Sequence, residues 1–257
     1  MKYGLQIKEI ESDEYVLGGR QLPRPVLQPD GQWHEFLPDY ERQFTDIFDT
    51  LGCTVYGTLN AIEMLDRRVN DKKSDYSERY PYNLTPISPP GGDPHCVAET
   101  IRKFGLVDQE VLPMTATFDE FKQKIGAKIL WKGQEWLKAN DFGHEWVWKG
   151  NPSKERRTEL LKEALRYSPV GVSVSAWHLK DGVYIDEGEP NNHWCVLIGY
   201  YDIAGIFMPK VFDSYDQTVK VLHPDHFIQM AKRYTLKPRT GKPAPWWKNI
   251  INYFIKK

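Results

Sequence analysis

Three side chains in this 257-residue chain have the types and the surroundings for nucleophilic acyl chemistry: Cys53, His193 and Asp213. A cysteine attacks a carbonyl as its thiolate, and a helix N-terminus or a neighbouring imidazolium lowers the thiol pKa from about 8.5 into the range of about 3.5–7.5. Cys53 starts the segment CTVYGTLNAIEMLDRR, in which Val55, Leu59, Ile62, Met64 and Leu65 recur at roughly helical spacing, and Gly52 permits a sharp turn into it. The spacing predicts Cys53 at or near a helix N-terminus. His193, in EPNNHWCVLIGYY, stands where a polar loop enters an apolar strand, which fixes the backbone under the ring. VFDSYDQ puts Asp213 at the end of a further strand, able to orient the second ring nitrogen and hold the tautomer.

The other candidates carry blander readings. Cys96 follows His95, but adjacent residues on a helix do not face one another, so Cys96 is expected to pack. Cys195 lies two residues after His193 in an apolar run and reads as a buried structural thiol. His223 and His226 in HPDHF have no third metal ligand in view and flank Pro224, so a solvated turn is expected and no metal site. Three cysteines without a CxxC pair indicate neither a disulfide framework nor a zinc knuckle, which points to a reducing, cytoplasm-like compartment.

The elements that must position these residues divide the chain. Residues 1–40, with Gly18, Gly19, Pro23, Pro25 and Pro29, read as a strand or two and a turn-rich arm. After the helix from Cys53, SPPGGDP breaks the chain, HCVAETIRKF forms a helix ending at Gly105, and KERRTELLKEALR forms another. Beyond Pro169, VGVSVSA, HWCVLIGYY and KVFDSYDQTVKVL are rich in β-branched and aromatic residues and read as strands. Trp131, Trp136, Trp146 and Trp148 are read mainly as core and lobe-interface residues. The tail PAPWWKNIINYFIKK reads as a basic amphipathic helix, packed on its own domain or docking a partner or anionic surface.

Composition narrows the partners. Lys and Arg total 34 against 35 for Asp and Glu, so no nucleic-acid partner is expected, although no acidic residue follows Asp225. The N-terminus lacks the apolar run of a secretory signal, and no apolar stretch approaches the ~20 residues of a membrane span.

Cys53 precedes His193 by 140 residues and Asp213 by 160, close to the ~130–150 residue separation of papain-type sites. LGCTVYGTLNAIEML resembles the nucleophile helix of papain-like cysteine peptidases, NNHWCVLIGY their histidine strand, and VFDSYDQ the segment of the orienting residue. SPPGGDPHCVAETIRKFGLV resembles the double-glycine turn and helix bordering the substrate cleft, and YSPVGVSVSA the strand that opens the second lobe. The matches run in family order over residues 30–235 or so. The resemblance implies an α+β, two-lobed fold in a single catalytic domain over residues 1–237, followed by the tail at 238–257. A helical N-terminal lobe would span about residues 41–115 and an antiparallel β-barrel-like lobe about 165–235, with the active site between them. It further implies an acyl-thioester intermediate, a protein or peptide substrate, no metal or organic cofactor, and a cleft wall including Gly91, Gly92, Asn192 and Trp194.

Several positions depart from the family pattern. The oxyanion glutamine is expected six residues before the nucleophile, where Ile47 stands, so Gln43 is taken for that role through a local insertion. Thr54 replaces the usual aromatic, Asp213 the usual asparagine, and Tyr215 the shielding tryptophan. With 52 residues before Cys53, no long inhibitory prosegment is expected. This look resembles family members of bacteriophages and bacteria, and a phage origin would make the chain virion-associated. Two other readings keep the same residues: a Cys-His-Asp amidase or acyl transferase, and a catalytically weak homologue serving as a binding or structural protein.

Overall fold

The computed structural model describes residues 4–11, 14, 16, 25–39 and 42–239. The first described strand, β1 (Gly4–Leu5), is followed by an irregular arm that leads to helix α1 (Cys53–Asn70). From Cys53 to Asp66 every residue of α1 is buried. Its apolar side chains Val55, Leu59, Ile62 and Leu65 have no exposed surface, each worth about 1.5–3 kcal/mol of burial. Three of its buried polar side chains are hydrogen-bonded: Tyr76 N–H donates to Glu63 (2.8 Å), Tyr76 Oη donates to Asp66 (2.7 Å), and Thr58 and Tyr234 share a hydrogen bond at 3.1 Å.

Helix α2 (Arg79–Leu84), the short strand β2 (Gly91–Gly92) and helix α3 (Pro94–Phe104) complete the first half. The α3 boundaries follow from local chemistry. Asp93 caps the N-terminus by accepting from His95 N–H at 2.8 Å, Pro94 takes the first turn, and Gly105, at φ 76°, ends it. Next come α4 (Phe118–Phe121), opened by a Thr117–Glu120 capping box, and α5 (Ala127–Ala139).

Strand β3 (Asn140–Trp146), helix α6 (Lys154–Leu165) and strands β4 (Val170–Val174), β5 (His178–Lys180), β6 (Val183–Ile185), β7 (His193–Ile203), β8 (Ile206–Phe212), β9 (Val219–Val221) and β10 (Ala231–Pro238) form the rest. Six strands make one antiparallel sheet in the order β3-β10-β4-β7-β8-β9, with β5-β6 a separate hairpin. The expected two-part α+β arrangement is present, but the sheet stays open and does not close into a barrel.

Helix and sheet meet across Trp194, which is fully buried in a slot that two glycines leave open. A Cβ on Gly57 of α1 would lie 2.9 Å from its ring, and one on Gly171 of β4 would lie 2.5 Å from it. The expected C-terminal helix lies outside the described residues. Among the described residues no helix is long and apolar enough to cross a membrane, and no group of three or more His, Cys, Asp or Glu could hold a metal ion.

Candidate active site

Cys53 is the first residue of α1, where an amide has no intrahelical acceptor and the helix dipole favours negative charge. The turn into the helix is tightly tied. Leu51 adopts φ 52° with its N–H on Asp49 Oδ1 (2.8 Å), and Gly52 N–H donates to Thr50 Oγ1 (3.1 Å). A Cβ on Gly52 would meet that Oγ1 at 2.8 Å, so glycine is required by the close approach.

His193 begins β7, opposite Val174 of β4. The loop before it is pinned by Asn191, whose Oδ1 accepts from Ser173 Oγ (2.7 Å) and Gln229 N–H (3.0 Å). Asp213 follows the last residue of β8, and β7 pairs with β8. The sheet therefore brings together residues twenty apart in sequence. His193 Nε2 lies 2.7 Å from Asp213 Oδ1, and Cys53 is within hydrogen-bond reach of the same ring. With Nε2 held by the carboxylate, Nδ1 is the nitrogen left for the thiol. All three residues have no exposed surface.

Burial pushes the His193 pKa down, but the hydrogen bonds and charges of Asp213 and Cys53 outweigh it and raise it to about 10. Burial likewise raises the Asp213 pKa, yet His193 and Lys220 bring it down to about 2. Lys220 was missed in the sequence. It lies on β9 with its side chain 2% exposed, its Nζ 2.9 Å from Asp213 Oδ2 and 2.5 Å from Asp216 Oδ1. One signal was available: strand alternation puts Lys220 on the face of Leu222, which is fully buried. Trp177 was missed too. Its ring and that of Tyr215 flank His193 edge-on, with centroids at 5.6 and 5.8 Å, and Tyr215 N–H donates to Asp213 Oδ1 at 3.2 Å.

Gln43 is fully buried and ties Ser214, the residue after Asp213, to the turn that precedes α1. Its N–H donates to Ser214 O (3.1 Å), its carbonyl accepts from Thr50 N–H and Oγ1 (3.1 and 2.7 Å), and Ser214 Oγ donates to its Oε1 (2.7 Å). That last bond orients the amide so that its NH₂ points away from Ser214, where one hydrogen reaches Asp49 Oδ1 at 3.4 Å. Between Gln43 and Cys53 the chain makes a turn closed by Thr45, on which Ile47 is 72% exposed.

The remaining expected residues separate. Gly92 lies against the helix start, since a Cβ there would meet Thr54 Oγ1 at 2.5 Å. Gly91–Gly92 are themselves covered: β1 pairs with them in parallel, Gln6 N–H donates to Gly92 O (2.9 Å), and Leu5 packs in one buried cluster with Cys53, Trp146, Trp194 and Met230. Gly4, at φ 84°, is pressed so close that a Cβ would meet Leu51 O at 2.2 Å. A strand is expected in this N-terminal region, and the strand Gly4–Leu5 packs over the nucleophile. Asn192 is half-buried, its Oδ1 accepting from Ala176 N–H at 3.0 Å. Trp194, expected in the cleft wall, has no exposed surface because it packs between α1 and β4.

Cys195 sits in the main core, where burial raises its thiol pKa well above the ordinary value. Cys96 donates to Asp93 Oδ2 at 3.4 Å, and burial with Asp93 pushes its pKa to about 11. All three thiols are free. The expected solvated turn at HPDHF holds for His223, but His226 is 7% exposed, its ring on Tyr184 O at 3.2 Å.

A helical lobe, an antiparallel sheet and a buried Cys-His-Asp row where they meet define a papain-like fold. Solved structures of papain-family cysteine proteases are similar to the chain over most of its length. Procathepsin L2 proteinase from the larval midgut of Tenebrio molitor aligns over 91% of this chain and 78% of its own, with TM-score 0.63 and 12% identity. Bromelain protease from Ananas comosus, in complex with the E64 inhibitor, aligns over 82% of this chain and 98% of its own, with TM-score 0.57 and 16% identity. The Amb a 11 cysteine protease, a ragweed pollen allergen in its proform, aligns over 88% and 69%, with TM-score 0.57 and 17% identity. No family model matches the sequence, and no curated protein sequence matches it.

Proposed function

We propose that the chain is a cysteine peptidase that hydrolyses peptide or isopeptide bonds through an acyl-enzyme formed on Cys53. The observation that carries this reading is the buried row in which His193 lies between the Cys53 thiol and the Asp213 carboxylate. His193 takes the thiol proton, and its raised pKa keeps the resulting imidazolium charged beside the thiolate. The thiolate attacks the carbonyl, and the tetrahedral oxyanion is met by the Cys53 N–H and the second hydrogen of the Gln43 amide. Collapse breaks the C–N bond as His193 protonates the leaving amine. A water molecule, deprotonated by His193, then attacks the thioester, releasing the acid and restoring the thiol. Asp213 orients the ring through Nε2, and Lys220 with Tyr215 N–H orients Asp213.

Cys53 has no exposed surface, so a substrate enters only when the segment over β2 leaves. Two of the similar structures are proforms, and this chain is read likewise as a covered, latent state. The test uses the full chain and its Gly4→Val variant, whose Cβ displaces β1. Iodoacetamide labelling followed by peptide mapping should show Cys53 modified ahead of Cys96 and Cys195, and faster in Gly4→Val. Casein hydrolysis should rise in Gly4→Val and vanish when Cys53→Ala is added. Equal labelling of the three thiols in both forms, with no hydrolysis, would falsify the reading.

A further inference from the structure

Beside the row lies a second polar cluster that the proposed mechanism does not use. Lys232 of β10 stands opposite Trp146 of β3, has no exposed surface, and holds its Nζ 3.6 Å from the centre of the Trp146 ring. His95, in the first turn of α3, lies at 16° to the indole with ring centroids 6.4 Å apart, and its Nδ1 is 3.5 Å from Lys232 Nζ. A buried ammonium is tolerated only with a compensating acceptor. Four carboxylates act on Lys232: Glu14, Asp93, Glu99 and Glu145. Three are engaged elsewhere, Asp93 with Lys8 and the α3 cap, Glu99 with Arg102 and His144, and Glu145 with Arg233.

Glu14 is different, because the cluster itself holds it. Trp146 Nε1 donates to Glu14 Oε2, and His95 Nδ1 lies 3.2 Å from the same oxygen. Glu14 belongs to the segment that covers the nucleophile, and nearby Val16 bridges to Trp146. That segment therefore makes two contacts in sequence: extended backbone along Gly91–Gly92, and a carboxylate held by Trp146 and His95. Trp146 shares the buried cluster of Cys53, and His95 lies three residues beyond Gly92. The polar pocket and the nucleophile are thus parts of one covered surface.

We propose that Lys232, His95 and Trp146 form a carboxylate-binding subsite beside Cys53, filled by Glu14 in the covered state, and that the peptides cleaved here carry Asp or Glu at the residue reaching it. An indole N–H and an imidazole meet at one carboxylate oxygen, and the Lys232 ammonium stands beside both, 3.6 Å from the indole centre and 3.5 Å from His95 Nδ1, so that its charge favours an anion there. Burial drives the Lys232 pKa down to about 7 against the pull of those four carboxylates, consistent with a cation whose charge depends on an acidic guest. The proposal rests on the peptidase reading for the word substrate, but its test needs no hydrolysis.

The test measures fluorescence anisotropy of labelled hexapeptide pools, each fixing Glu or Gln at one position and randomising the rest. The protein is the full chain carrying Cys53→Ala, with Gly4→Val and Glu14→Gln to release the covering segment. At one position the Glu pool should bind about tenfold or more tighter than the Gln pool, as charge-assisted hydrogen bonds are roughly twice as strong as neutral ones. Adding Lys232→Met should bring the two pools within about twofold; should that variant fail to fold, His95→Gln should narrow the gap at least about threefold. Restoring Glu14 should weaken binding of the Glu pool. Equal affinity for Glu and Gln pools at every position, or no binding of either, overturns the proposal. Retained Glu selectivity in a chain that hydrolyses nothing would count against the peptidase reading alone.

Discussion

Replacing Lys220 with methionine tests how Asp213 is held. In the wild type Asp213 has no exposed surface, and its Oδ1 receives His193 Nε2 and Tyr215 N–H while Oδ2 faces Lys220 Nζ at 2.9 Å. Methionine fills much of the lysine volume and keeps contact with the Trp177 and Tyr184 rings, whose centroids lie 5.2 and 5.6 Å from Nζ. It leaves the Asp213 charge without its cation. Removing one partner of a buried pair costs about 3–5 kcal/mol, and at about 2–4 °C per kcal/mol the melting temperature should fall roughly 6–20 °C. Asp216, half exposed, rehydrates and adds little. Adding Asp213→Asn removes the orphaned charge and should recover part of the loss, with a coupling of about 1.5 kcal/mol or more. The assay is thermal unfolding of the four members of the cycle, with the pH dependence of Cys53 carboxymethylation as a second readout. Asp213, with its depressed pKa, contributes stability above pH 3.8 that is lost as pH falls through about 2. Without Lys220 that pKa rises, so the acid limbs of both profiles should move to higher pH. A melting temperature within about 2 °C of wild type, or a cycle additive within about 0.5 kcal/mol, would refute the reasoning.

His193 has its pKa raised to about 10, so its stabilisation is complete below pH 6.5 and lost as pH rises through 10. Melting temperature and carboxymethylation rate should both hold to about pH 9 and fall near pH 10, and in Asp213→Asn the fall should come earlier; an alkaline limb near pH 6.5 in the wild type would contradict the geometry. Gly171→Ala places a Cβ 2.5 Å from the Trp194 ring, so overpacking should destabilise the chain by about 1–3 kcal/mol in urea titration, and a Trp194→Leu background should relieve it.

Much of the site was readable from local pattern. The apolar spacing after Gly52 placed Cys53 at the start of α1, and the change from polar loop to apolar run placed His193 at the start of β7. Gln43 is expected in the oxyanion role through a local insertion, and between Gln43 and Cys53 the chain makes a turn at Thr45–Phe48. What stayed hidden depends on pairing. The stretch between 110 and 165 gave no strand in the reading, yet Asn140–Trp146 pairs with β10 along its whole length. The run after Asp225 is legible in the sequence as local positive charge, whereas the burial of Lys232 and Arg233 comes from that same pairing.

The sequence by itself determined which residues could act and which elements carry them, because helix periodicity, capping and strand composition are set by neighbours a few positions apart. Only the tertiary structure decided that Lys220 completes the row behind Asp213, that Trp194 fills a two-glycine slot, and that Gly4–Leu5 and Glu14 lie across the nucleophile's surface. Each of these depends on sheet register or on contact between segments far apart in the chain, and a one-residue change of register would turn every such side chain to the opposite face.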